Sequence, residues 1–157
     1  MDDRITRQAV IDSFRGAYRF LSNFHPCRVA LDGQMYRSVE HAYQAAKTMD
    51  RERRKEVHRF TAGGAKRWGD ALHKRPDWNA VKLDVMLDLL RQKFLGDGCL
   101  AAQLLATGER ALIEGNTWGD TYWGTCRGCG KNHLGRLLMQ VRSELRRQQL
   151  SAGRCLE

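Results

Sequence analysis

Apolar residues recur at three- and four-residue steps through Trp78, Val81, Val85, Met86, Leu89 and Leu90, which predicts a helix over 77–94 ended by Gly96. Residues 100–106 continue as a shorter helix that Gly108 stops. Leu134, Leu137, Leu138, Val141 and Leu145 mark the buried face of a last helix, with Asn132 placed to cap it. Earlier in the chain, Ser38 is a good N-cap for a helix over 39–49. A basic helical piece then reaches Phe60, the Gly63-Gly64 pair interrupts it, and a short helix over 65–68 follows. Short runs read as strand at 5–11, at 111–113, and in a hairpin over 27–36 that turns at Asp32-Gly33. Residues 20–26 break every period and read as a loop. The sum is a mostly helical chain with a little strand, whose Met and aromatic residues on these stripes belong to the core.

Composition supports a folded domain. The 157 residues are 42% hydrophobic and 29% charged, with no linker, repeat or low-complexity segment, so one domain over 1–157 is expected. No apolar run approaches the roughly 20 residues that span a bilayer, so no membrane partner is expected. Met1-Asp2-Asp3-Arg4 has no apolar signal core behind it, and the five scattered cysteines are an odd number. Both favour reduced thiols and a cytoplasmic protein. Net charge is +9 and the isoelectric point about 9.7, which points to an anionic partner: nucleic acid, nucleotide or phosphorylated sugar. Two basic blocks stand out, Arg51 with Arg53-Arg54-Lys55, and Lys66-Arg67 with Lys74-Arg75; each alone reads as a solvated face.

Two stretches can carry chemistry. In the helix after Ser38, helical spacing sets Glu40, Gln44 and Lys47 along one stripe beside Tyr43, while Val39, Ala42, Ala45 and Ala46 form a small-residue packing surface. A carboxylate, an amide and an amine in a row suit acid/base work; a solvated Glu–Lys network is the plainer reading. The second stretch, 114–131, holds five glycines and three large aromatics without a period. Its Trp and Tyr either stack on a flat ligand ring or pin the loop to the core. Cys126 and Cys129 sit at CxxC spacing, with His133 four residues on, but structural zinc normally takes four ligands and no second pair exists, so no metal is expected.

These motifs, taken in order, resemble the YbiA-like, or NADAR (NAD and ADP-ribose-associated), N-glycosidase family over nearly the whole chain. They are Phe20-Leu21-Ser22-Asn23-Phe24, the hairpin leading into Ser38 to Lys47, Arg75-Pro76-Asp77-Trp78, Lys93-Phe94, Asp120-Thr121-Tyr122-Trp123-Gly124, and the block from Gly130 to Met139. The resemblance implies a mainly α, compact single-domain, multihelical YbiA-like fold with a small β-hairpin and short strands. It implies hydrolysis of a bond between a base nitrogen and ribose C1. The expected substrates are phosphorylated ribosyl or ADP-ribosyl groups, on a phosphoribosylated riboflavin-synthesis intermediate or on guanine in nucleic acid, with DNA as a possible partner. No cofactor is needed. Glu40 becomes the catalytic carboxylate, and Trp78 and Trp123 line the pocket. Some members carry a catalytic aspartate where Thr125 stands here, so Asp120 or Glu114 is the candidate replacement, or Glu40 acts nearly alone. Lys47, Lys66, Arg75 and Lys93 are candidates to hold phosphates, and Asn23 and Asn132 to bond the sugar or base. Phe24, Gln44, Trp118 and Gly124 complete the expected substrate-binding set. A binding module without catalysis, for ADP-ribose or nucleic acid, is the alternative from another class.

Overall fold

An Asp-Gly pair flanked by short apolar runs dictates a two-residue hairpin, and the computed structural model, which describes residues 10–154, contains it. Strand β1 is Val10–Ile11, followed by a 3₁₀ turn over Gly16–Leu21. The hairpin pairs β2 (Val29–Leu31) with β3 (Gln34–Tyr36), in the register Val29↔Tyr36, Ala30↔Met35, Leu31↔Gln34. Both turn residues have positive φ, 48° at Asp32 and 80° at Gly33, the conformation that favours glycine and tolerates aspartate. Helices α1 (Val39–Ala45), α2 (Arg51–Glu56), α3 (Ala62–Ala71) and α4 (Trp78–Leu95) follow. Then come α5 (Gly98–Ala106), β4 (Ala111–Leu112), β5 (Gly115–Asn116), β6 (Thr125–Cys126) and α6 (His133–Arg154). Of the strand expected over 5–11, positions 5–9 lie outside the described residues. No described helix is long and apolar enough to cross a membrane.

The chain divides into two compact units, 23–93 and the flanking segments 1–22 with 94–157. In the central unit, α1 is the hub. Ser38 caps it by accepting the His41 N–H, and every residue from Ser38 to Thr48 is buried. His41 serves the fold: its Nδ1 lies 2.6 Å from Ser38 Oγ and its Nε2 2.9 Å from the Phe60 carbonyl. The helix stops four residues before the predicted end because Lys47 and Thr48 turn tightly onto Gln44 and Ala45. Asp50 then starts α2 by accepting the N–H groups of Glu52 and Arg53. On α4, Met86, Leu89 and Leu90 are fully buried, and each contributes roughly 1.5–3 kcal/mol. Gln92 reaches the free edge of β2, where its amide accepts from the Ala30 N–H at 2.7 Å and donates to the Ala30 carbonyl at 2.9 Å.

Two expectations fail here. The Gly63-Gly64 pair does not interrupt a helix; it lies in the first turn of α3, which Thr61 caps and which runs well beyond 65–68. Gly64 is demanded there because a Cβ would stand 2.9 Å from the Cβ of Phe60. The basic block 51–55 is not wholly solvated either, since Arg54 is only 1% exposed.

In the other unit, β1 and β4 pair in parallel, as do β5 and β6, with Gly115 opposite Thr125 and Asn116 opposite Cys126. The stretch read as irregular therefore carries paired strands. Asn116 closes it with its side-chain amide, donating to the carbonyls of Asp120 and Thr125. Cys126 and Cys129 exchange backbone hydrogen bonds across Arg127 and Gly128, both at positive φ, so the CxxC spacing serves a tight hairpin. Arg142 of α6 is buried and donates to Thr107 Oγ1 and to the Arg110 carbonyl, tying α6 to the end of α5.

Candidate active site

Helical spacing puts Glu40 and Gln44 one turn apart on α1, Lys47 follows in the turn that ends the helix, and tertiary packing takes all three out of water. Glu40 is 6% and Lys47 5% exposed, which rules out the solvated-network reading. Gln44 Nε2 donates to Glu40 Oε1 at 2.7 Å, and the Glu40 backbone N–H donates to the Asn23 carbonyl at 3.0 Å. Lys47 Nζ pairs with Asp70 of α3 at 3.0 Å and lies 5.9 Å from the Tyr43 ring centroid. Burial pushes the Glu40 carboxyl up; the Gln44 amide and the charges of Lys66 and Lys47 oppose it, and Asp70 adds to it. Burial likewise pushes the Lys47 ammonium down, against the hold of Asp70. The result is a carboxyl that binds its proton more tightly than a solvated glutamate does, the direction that strengthens a general base.

The other candidates of this unit differ in how free they are. Trp78 is buried, its ring 5.1 Å from Tyr43 and tilted by 54°. Arg75 donates its backbone N–H to the Lys47 carbonyl, while Asp77 grips its guanidinium with both carboxylate oxygens. Asn23 donates to Met86 Sδ at 3.6 Å, and its Oδ1 is buried without a partner. Phe24 is partly exposed, near Gly63. Lys66 lies on α3 one turn before Asp70, half-buried. Lys93 is fully buried, with its ammonium pushed down to about 8. Asp70 was not among the sequence candidates. Its signal was the four-residue step from Lys66, which shows only once α3 is known to run through both.

The remaining candidates sit in the other unit. Asp120 Oδ1 accepts the backbone N–H groups of Tyr122 and Trp123, at 3.0 and 2.9 Å, and so shapes the turn that carries them. Trp123 packs edge-on against Tyr122, and Tyr122 lies 4.5 Å from His133, so this pair pins the loop. Trp118 is 58% exposed. Asn132 has a positive φ; its Oδ1 accepts the Glu114 N–H and its Nδ2 donates to the Leu112 carbonyl, which ties the start of α6 to β4. Gly124 is required by close approach, since a Cβ would fall 2.1 Å from the Glu114 carbonyl oxygen. Gly124→Ala is therefore expected to lose about 1–3 kcal/mol of stability by forcing β5 and β6 apart. Chemical denaturation checks this, and an unchanged midpoint would contradict it.

Comparison with known proteins places this geometry in context. The NADAR domain family model matches residues 12–146. N-glycosidase YbiA of Escherichia coli (strain K12) is 40% identical over 132 residues, covering 82% of this chain and 82% of that protein. A riboflavin biosynthesis protein of Vibrio vulnificus (strain YJ016) is 42% identical over 130 residues; the match takes in 80% of this chain but only 35% of that protein's length. The NMR structure of E. coli YbiA superposes with a TM-score of 0.79 at 37% identity, covering 91% of this chain and 89% of that one.

Proposed function

The chain belongs to the NADAR domain family and is a hydrolase of N-glycosyl bonds; from that premise we propose that it cleaves the bond between a base-type nitrogen and C1 of a phosphorylated ribosyl or ADP-ribosyl substrate, with Glu40 as the catalytic carboxylate. The observation that carries this reading is a buried carboxylate held at 2.7 Å by an amide, with Lys47 and Lys66 close enough to act on its charge. As the C1–N bond lengthens, positive charge develops on the ribose ring, and the Glu40 carboxylate stabilises it. Water then forms the new C1–O bond and passes a proton to Glu40, while the base departs with the electron pair of the broken bond and takes up a proton. Lys47 and Lys66 hold phosphate, Trp78 offers its indole to the base, and Asn23 offers its unpaired Oδ1 to a hydroxyl. Asp120 shapes the turn of its own loop, its Oδ1 taken by the backbone N–H groups of Tyr122 and Trp123.

Within this class the net charge of +9 favours an ADP-ribosylated guanine in nucleic acid. The name of the Vibrio relative favours a phosphoribosylamino-pyrimidine of riboflavin synthesis. Reduced thiols at Cys27, Cys99, Cys126 and Cys129 suit a reducing cytoplasm. A chromatographic turnover assay on an ADP-ribosyl-guanine oligonucleotide and on the phosphoribosylamino-pyrimidine separates the two. Release of ADP-ribose from the first is the expected result. Cleavage of the second alone makes the protein a metabolite hydrolase, and cleavage of neither, with binding retained, makes it a binding module.

A further inference from the structure

Gly69 lies buried inside α3, where glycine is among the poorest helix formers. Its φ is not positive, so backbone conformation does not call for glycine. What calls for it is Gln44. A Cβ on Gly69 would stand 2.0 Å from Gln44 Oε1, 2.8 Å from Cδ and 2.9 Å from Cβ. Gln44 therefore lies against bare backbone, its Oε1 buried without a hydrogen-bond partner while its Nε2 donates to Glu40. Nature seldom leaves a buried amide oxygen unpaired. Turning the amide over would set that oxygen against the Glu40 carboxylate.

We propose that Gly69 is a positioning residue for the N-glycosidase reaction: the absence of a side chain there lets the Gln44 amide lie on α3 with its NH₂ aimed at Glu40, and so orients the catalytic carboxylate. The inference rests on the role of Glu40 argued above. The amide is the mobile end of its side chain and takes the closest approach, at 2.0 Å, while the 2.9 Å approach to Gln44 Cβ presses on α1 itself.

The test uses Gly69→Ala, Gln44→Ala and the double variant, read by the ¹³C NMR titration of the Glu40 carboxyl and by pH–rate profiles. The charged groups that act on Glu40, Lys47 in the turn after α1 and Lys66 and Asp70 on α3, stay unaltered in all three. Losing the Gln44 donor is expected to raise the Glu40 titration by about one pH unit in Gly69→Ala, and the acid limb of kcat should follow it. The same variant should lose about 10-fold in kcat with KM within about two-fold of wild type. Gln44→Ala should reproduce the shift, and adding Gly69→Ala to it should produce little further shift, because the approaches to Oε1 and Cδ are then gone and only the 2.9 Å approach to the Cβ of position 44 remains. A Glu40 titration unmoved in Gly69→Ala, or moved as far when Gln44 is already truncated, overturns the proposal. Should Gly69→Ala fail to fold, an unmoved titration in Gln44→Ala does so. The NMR readout needs no substrate, so a wild-type protein that turns nothing over refutes the N-glycosidase reading instead.

Discussion

Glu40→Gln is expected to lower kcat by about 10³-fold, with little change in KM and the fold intact. The substitution keeps the shape of the side chain but removes its capacity to carry negative charge or accept a proton. Both capacities are needed only as C1 becomes cationic and water attacks, so the loss falls on kcat. Stability should move the other way. Glu40 is buried and its carboxyl is raised, so the folded protein binds this proton more tightly than the unfolded chain does. Stability therefore falls as pH climbs from the unfolded value to the folded one, and the loss is complete above the latter. Glu40→Gln removes that dependence. Melting temperatures of variant and wild type, compared from about pH 4 to about pH 8, should diverge in the variant's favour as pH rises. Wild-type turnover by a folded Glu40→Gln protein would take this residue out of the mechanism.

Arg54→Ala is expected to cost about 3 kcal/mol, lowering the thermal midpoint by about 6–12 °C. The side chain is fully buried where the chain leaves α1 and meets the hairpin turn. Its Nε donates to the Thr48 carbonyl at 2.8 Å, and its Nη1 pairs with Asp32. Truncation leaves a cavity beneath α2 and strands a carbonyl at the end of the helix that carries Glu40. The ion pair is the smaller part, because the Asp32 side chain is 53% exposed and water screens it. Asp32→Asn should therefore cost below about 1 kcal/mol. Equal losses for the two variants would show that the charge, and not the packing and the Thr48 bond, is what matters.

Much of the local architecture was legible because it depends on neighbours within a turn or two. Asp32-Gly33 demanded its hairpin through positive φ, Ser38 marked a helix start through its hydroxyl, and the apolar steps of α4 and α6 declared which faces turn inward. The same short-range spacing set Glu40 and Gln44 one turn apart, while Lys47, expected on the same stripe, lies in the turn beyond Ala45. Helix-forming rules could not see that Thr61 and the packing of Phe60 make the Gly63-Gly64 pair part of α3, and without α3 neither Asp70 nor Gly69 had a place. The parallel pairing of β5 with β6 was hidden too, since each strand has two residues and its partner lies about ten positions away. Sequence by itself determined which side chains share a helical stripe, because an α-helix repeats every 3.6 residues whatever surrounds it. Only the tertiary structure decided that this stripe is dry, because the surfaces that exclude water from Glu40 come from segments distant along the chain.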